Sequence, residues 1–281
     1  MAMDVEVRPA RRSDRAPLMS FIKDVWGGHD YIPRVWDRWI ADKVNRMYVV
    51  AADGVPVGMN RVRFMEDGSA WFEGARVHPS YRGRGLGSML GAHSMKVARG
   101  LGIATYRLTS GSRNHTAHRQ IARMRFKEIA RFSVYDPPKR HRASGSAERV
   151  KEGAAVEAYR GIRGTREYRL GRGVFWHNFG AAALTPDVVR RLVREGAVWR
   201  TGAAFAVARY GGEGALWEQV CFIGGPPSDA VKLAKAMMGR RKAAARWVFV
   251  PQGSPIIHAL RTARFERSYS NILFERRAAK G

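Results

Sequence analysis

The run Val77-His78-Pro79-Ser80-Tyr81-Arg82-Gly83-Arg84-Gly85-Leu86-Gly87-Ser88 constrains this chain more than any other feature. Glycines at 83, 85 and 87 carry no Cβ, so a ligand can approach the backbone closely. The apolar segment from Trp71 to Val77 reads as a strand. Behind the loop, Leu86, Met89, Leu90 and Val97 recur on one helical face, with Gly100 placed to cap the helix. The order strand, glycine-rich loop, helix leaves the first helical amides unpaired and aimed into the loop, where they can bind phosphate oxygens. Arg82 and Arg84 add positive charge. No Gly-Lys-Ser/Thr follows, which excludes a Walker-type loop. The glycines cannot be spaced as G-x-G-x-x-G, and no acid sits where a ribose would need it, which excludes the dinucleotide fingerprint. The plainer alternative is a turn rich in arginine.

The string Arg82-Gly83-Arg84-Gly85-Leu86-Gly87 resembles the Q/R-x-x-G-x-G/A signature of the GNAT superfamily of acyl-CoA-dependent N-acetyltransferases. Its flanks extend the likeness. Val5 to Asp14 resembles the opening strand and turn, and Tyr48 to Met59 reads as a hairpin closed by Asp53-Gly54. Thr105 to Thr109 reads as a strand, followed by Asn114 and a helix through Ile121. Asn114, Ala117 and Phe126 match the family's pattern, while Ile121 and Arg125 stand where a tyrosine and a glycine are usual. The resemblance implies an α/β (α+β) fold with a mixed, mostly antiparallel sheet flanked by helices. It also implies acetyl-CoA as cofactor. Its pyrophosphate would rest on Arg82, Gly83, Arg84, Gly85, Leu86, Gly87 and Ser88, and its pantetheine arm would run along the backbone of Arg76, Val77 and His78. Asn114 joins the cofactor side, and the thioester would lie between the strands at 71–77 and 105–109.

Transfer to an amine needs a proton removed from the ammonium, and Glu73 in the apolar strand is the candidate base. Strand alternation groups Glu73 with Ala75 and Val77, opposite Phe72, Gly74 and Arg76. Glu73 can equally serve as a salt-bridge partner of Arg61, Arg63 or Arg76. With Ile121 in place of the tyrosine that protonates the leaving thiolate in many relatives, the general acid is open. His115 and His118 have suitable chemistry, surface roles and solvent protonation being the alternatives.

Glu73-Gly74-Ala75-Arg76-Val77 and Gly27-Gly28-His29-Asp30-Tyr31-Ile32-Pro33, with Trp36 to Ile40, resemble one branch, the histidine N-acetyltransferase group and its microbial relatives. By that resemblance Asp30 would pair with an ammonium group, and Tyr31, Trp36 and Trp39 would wall an acceptor pocket. The alternative for Trp36, Trp39 and Ile40 is the buried face of an amphipathic helix. A small amine or amino acid is the favoured acceptor. A protein N-terminus or lysine is the second reading, and a non-catalytic CoA-binding or nucleic-acid-associated protein the third.

The chain is 281 residues long, enough for about two domains. Residues 1–136 read as the catalytic GNAT domain. Residues 137–152, with Asp136-Pro137-Pro138 and Lys139-Arg140-His141-Arg142 at their start, read as a basic linker. In 153–281 an echo occurs: Arg125-Phe126 is matched by Arg264-Phe265, an offset of 265 − 126 = 139, and Gly100 by Gly239 at the same offset. Trp217-Glu218 lies 145 residues after Phe72-Glu73, which makes the second copy about six residues shorter between strand and helix end. Its connection, Gly224-Gly225-Pro226-Pro227-Ser228-Asp229, has lost two donors to proline and gained a carboxylate that would repel a pyrophosphate. The second half therefore reads as a tandem, degenerate GNAT-like domain without a CoA site. Thr185-Pro186 and Ser254-Pro255 mark helix starts, and 247–250 and 272–274 read as strands.

Lys and Arg total 50 against 24 Asp and Glu, a net charge of +26 that attracts polyanions non-specifically. The basic residues are scattered, and no zinc-ligand spacing or single basic helix stands out. Cys221, the only cysteine, excludes an intramolecular disulfide and sits in the apolar run 219–223, so direct transfer is expected over an acetyl-cysteine relay. No run reaches the length of a membrane span. These features fit a cytoplasmic monomer or homodimer with no metal.

Overall fold

A computed structural model describes residues 3–25, 27–139, 141–211, 217–239, 243 and 245–278. Two compact units emerge. One comprises Met1–Leu108, Thr116–Lys127 and Glu275–Gly281; the other comprises Thr109–His115 and Glu128–Phe274.

Along the first half run β1 (Val5–Pro9), α1 (Arg15–Ile22), α2 (Ile32–Ala41), β2 (Arg46–Ala52), β3 (Val55–Phe64), β4 (Ala70–Val77), α3 (Leu86–Gly100), β5 (Thr105–Gly111), α4 (His115–Arg123) and β6 (Lys127–Asp136). The strand order is β1-β2-β3-β4-β5, antiparallel except for the parallel pair β4 and β5. Asp53 and Gly54 both take positive φ, +49° and +80°, which closes the β2–β3 hairpin as the Asp-Gly pair demands. One sheet face buries Leu18, Phe21, Ile22, Trp36 and Trp39 of α1 and α2 against Met47, Val49 and Met59. The other receives α3, whose Ser94 Oγ accepts from Asn60 Nδ2 at 2.8 Å.

The face of α3 differs from the expected one. Leu86, Leu90, Gly91, Ser94 and Ala98 are its buried positions, and Met89 is 41% exposed. Gly100 is the last helical residue, and the left-handed turn after it belongs to Gly102, φ +76°.

The second half runs β7 (Glu148–Arg149), α5 (Ala155–Gly164), α6 (Arg166–Leu170), β8 (Val174–His177), β9 (Gly180–Ala183), α7 (Pro186–Arg194), β10 (Val198–Thr201), β11 (Ala204–Gly211), β12 (Trp217–Gly224), α8 (Pro227–Met237), β13 (Ala245–Pro251), α9 (Ile256–Thr262) and β14 (Glu266–Arg277). Apart from the inserted β8–β9 ribbon and an extra helix, this repeats the first order: strand, helices, three strands, helix, strand, helix, strand. The parallel pair recurs as β12 and β13, and the core packs α8 and α9 residues Leu233, Met237 and Leu260 on Val220, Ile223 and Val248. Thr185 caps α7 by accepting from Val188 N at 3.2 Å, as the Thr-Pro start predicts.

Residue 136 is not where the units divide. β6 lies in the second unit, where Phe132–Tyr135 pair antiparallel with Val248–Pro251 of β13. Reciprocally, Glu275–Gly281 belong to the first unit, where Ala278 N donates to Ala104 O at 2.8 Å. A boundary drawn from composition cannot follow a strand whose partner lies over a hundred residues on. Arg140 of the expected linker and Arg240-Arg241-Lys242 lie outside the described residues.

The candidate active site

β4 is the strand on which the site is built, and its centre is irregular. Met59 stands opposite Arg76 and Arg61 opposite Glu73, so two steps along β3 face three along β4. The extra residue is absorbed at a bulge where Gly74 takes φ +67°. A Cβ at 74 would lie 2.9 Å from the Trp39 ring, so both conformation and packing require glycine there. The bulge corrects the simple alternation. Glu73 shares its sheet face with Arg76, on the side of α1 and α2, and not with Val77.

That face carries a dense ionic network. Arg61 Nη1 donates to Glu73 Oε1 at 2.5 Å and Arg61 Nη2 to Asp42 Oδ2 at 2.6 Å, while Arg63 lies 3.7 Å from Glu73 Oε2. Glu73 is thus held in an ion pair, the alternative its sequence context left open. Asp42, which the sequence did not single out, also accepts from Asn45 and from the Val44 amide. Against the opposing pull of burial, these bonds hold its carboxyl down at about 2.

Asp30 and Trp36 depart from their expected acceptor-side roles. The Asp30 side chain is fully buried, accepts from Arg76 Nε at 2.6 Å and starts α2 by accepting from Ile32 N at 2.9 Å. An inward carboxylate already matched to a guanidinium has no call on an incoming ammonium. Trp36 is also fully buried, in the α1–α2 core. Tyr31 packs edge-on against Trp39 at 5.8 Å, with the Arg76 guanidinium 5.8 Å from its ring. Burial, with the Glu73 carboxylate adding to it, raises the Tyr31 phenol well above its ordinary range and keeps it protonated.

Beyond the bulge, the pairing of β4 with β5 runs from Ala70↔Tyr106 to Phe72↔Leu108 and stops, while β4 continues to Val77 along β3. The two parallel strands part at Phe72 and Leu108. After Val77, His78 turns the chain: its amide donates to Val57 O at 2.8 Å and its carbonyl accepts from Tyr81 N at 2.9 Å. His78 therefore departs from the expected backbone ledge, its amide and carbonyl both being bonded within the chain.

The loop itself has the expected geometry. Gly83 and Gly85 take φ of +79° and +80°, and a Cβ at either would meet nothing within 4 Å. Arg82, Gly83, Arg84 and Gly85 are exposed. Ser88 and Met89 amides bond to Gly85 O, but among the described residues the amides of 83–87 donate to no carbonyl. Gly87 differs: a Cβ there would run into the Gln120 carboxamide of α4. Its lack of a side chain admits Gln120, which places a polar amide beside the first turn of α3. No spacing in the sequence links residues 87 and 120, so that neighbour was not legible.

On the far side, Asn114 and His115 are exposed at the start of α4 and are counted with the second unit, whereas half-buried His118 belongs to the first. Ile121 is buried, and Arg125 adopts φ +61°. That left-handed turn, closed by Arg125 N to Ala122 O at 2.8 Å, accounts for the glycine usual at this place in the resembled family.

The "Acetyltransferase (GNAT) family" model matches residues 15–126, spanning β4, the loop, α3 and α4 up to Phe126. Over residues 15–126 the chain is similar to the GNAT family. Within 83 residues the chain is 31% identical to histidine N-acetyltransferase of Xenopus tropicalis, covering 29% of this chain and 26% of the relative. The enzyme of the same name from Oreochromis niloticus is 29% identical over 82 residues. The chain thus spans about a quarter of these relatives' length.

The GNAT fold itself extends further. The crystal structure of a GCN5-related N-acetyltransferase from Sphaerobacter thermophilus superposes with a TM-score of 0.66 at 13% identity, over 99% of this chain and 96% of that one. One from Kribbella flavida gives 0.54 at 15% identity over 98% and 71%. Among the described residues no group of His, Cys, Asp and Glu could hold a metal, and no helix is long and apolar enough to cross a membrane.

Proposed function

We propose that the chain is an acetyl-CoA-dependent N-acetyltransferase acting on a small amine or amino acid by direct transfer. The observation that carries this is the loop between β4 and α3: amides 83–87 without carbonyl partners and two glycines whose Cβ positions open onto free space. An anion fits there, since unpaired amides at a helix start bind phosphate oxygens and no side chain of the loop occupies the space. Arg82 and Arg84 would add charge to the amides in holding the pyrophosphate. The backbone of Arg76 and Val77, beyond the point where β4 leaves β5, would align the pantetheine arm.

Acetyl-CoA supplies an activated acetyl thioester; this chain's residues supply position and proton handling. The α1–α2 face of β4 presents Glu73, which would take the ammonium proton directly or through water. Arg61 and Arg63 hold that carboxylate in place. Tyr31, protonated, is the hydrogen-bond donor on the same face. Arg63 and Arg76 suit an acceptor that carries a carboxylate near its amine. That agrees with, but does not rest on, the name of the curated relatives. His118, on the first unit's part of α4, is the side chain for returning a proton to the thiolate, alongside solvent. Most of the acceleration would come from holding amine and thioester together.

Gly85→Asp is the decisive variant. A side chain at φ +80° and a negative charge among the anion-binding amides should weaken acetyl-CoA binding more than 100-fold, or about 3 kcal/mol by calorimetry. Unchanged affinity would remove the loop from the cofactor site.

A further inference from the structure

In the second unit the parallel pair β12 and β13 is in register from Trp217↔Ala245 to Val220↔Val248 and then parts, as β4 and β5 do. The short helix α6 packs on both strands. Its cap, Thr165, accepts from Tyr168 N at 3.1 Å, and its Oγ1 would lie 2.7 Å from a Cβ on Gly224 at the end of β12. Two residues after the cap, in the first turn, Glu167 is 1% exposed. Glu167 Oε2 accepts from the Gly225 amide at 3.2 Å, and Oε1 accepts from Ser254 Oγ at 2.7 Å. Gly225 lies in the connection from β12 to α8, and Ser254 starts the turn into α9, where its Oγ also accepts from Ile256 N.

We infer that the second unit retains the counterpart of the cofactor cleft and that the chain fills it with its own Glu167, whose carboxylate stands in for the phosphate of a ligand. A carboxylate is the internal group suited to that place: anionic, an acceptor only, and able to serve two donors at once. In the first unit the same connection leaves its amides unpaired; in the second the Gly225 amide is taken. The inference rests on the proposed pyrophosphate loop only for naming the counterpart. The arrangement around Glu167 is independent of it. The consequence is one acetyl-CoA per chain, with the second unit closed to nucleotides while Glu167 is present.

The experiment measures melting and amide exchange of Glu167→Ala and Glu167→Gln in a Gly85→Asp background, with and without millimolar inorganic pyrophosphate. Glu167→Ala should melt about 5 °C lower, the scale expected for two buried donors left unmet. The Gly225 amide should exchange faster, and pyrophosphate should restore at least half of both losses. The same anion should leave the chain with Glu167 intact unmoved. Loss without restoration would make Glu167 a structural acceptor only and overturn the inference.

Should Glu167→Ala fail to fold, Glu167→Gln keeps the shape without the charge. It should lose about half as much stability, and no loss would equally overturn the inference. Titrating the unmutated chain with CoA should give one site. Two sites would overturn the inference. No site would sink the loop reading of the first unit and leave the pyrophosphate result standing by itself.

Discussion

In the first unit eight residues, 78–85, join β4 to α3; in the second only two, Gly225 and Pro226, join β12 to α8. Glycine serves opposite ends in the two connections. A Cβ at Gly83 or Gly85 would meet open space. At Gly225, φ +127°, it would lie 2.7 Å from Ala204 Cα and 2.8 Å from Ala203 O, backbone that cannot step aside. The long connection leaves open space over its glycines, and the short one is packed against backbone. A shared order of elements therefore does not carry a shared connection, and under the proposed function it does not carry a shared site.

That contrast can be broken most sharply at the glycines. Gly225→Ala should destabilise the second unit by about 3 kcal/mol or more, from overpacking against backbone together with an unfavourable φ. Gly83→Ala should cost about 1 kcal/mol. Thermal melts with exchange-protected amides assigned to each unit measure both. Equal losses would show that the two connections are not different in kind.

The next effect is chemical. The parallel pairing ends at Phe72↔Leu108 in the first unit and at Val220↔Val248 in the second, so the next residue is Glu73 in the one and buried Cys221 in the other. Only the first unit has a carboxylate there. Glu73→Gln should lower kcat about 100-fold in a thiol-release assay, the range for a lost general base, with KM for acetyl-CoA little changed. An unaltered kcat would reduce Glu73 to a partner of Arg61 and Arg63.

The smallest effect concerns acid. Asp42, held at about 2, has a folded pKa below its ordinary 3.8. Its contribution is present in full above pH 4 and disappears as pH falls through 2. The shift corresponds to about 2 kcal/mol. Denaturant titrations from pH 5 to pH 2 should show that slope in the first unit's strands, and Asp42→Asn should flatten it.

Local chemistry was the most legible part of this chain. The Asp53-Gly54 turn, the Thr185 cap, the β4–loop–α3 order and the backbone left open at Gly83 and Gly85 depend on residues within a few positions of one another. The echo of Phe126 in Phe265 was also legible, and the backbone bears it out: Arg125 and Arg264 share φ near +60°. Elsewhere the matching slipped. The left-handed partner of Gly239 is Gly102 rather than Gly100, and where the parallel pairing ends the next residue is Glu73 in the first unit and Cys221, not Glu218, in the second. From the end of β4 to Gly102 is 102 − 77 = 25 residues, and from the end of β12 to Gly239 is 239 − 224 = 15. The second copy is thus ten residues shorter over that span, not six. Insertions and bulges move register by one or two places, which repeated residue types cannot reveal.

The sequence by itself determined the loop, its charge and the family it resembles, because a glycine-rich turn between a strand and a helix is specified by contiguous residues. Tertiary structure alone decided which carboxylates are spoken for. Asp30 is claimed by Arg76, Glu73 by Arg61 and Arg63, and Glu167 by Gly225 and Ser254. Each pairing joins positions 10 to 87 residues apart. Whether a buried acid can act on a ligand depends on those distant partners, since a carboxylate removed from water is stable only where the fold brings donors to it.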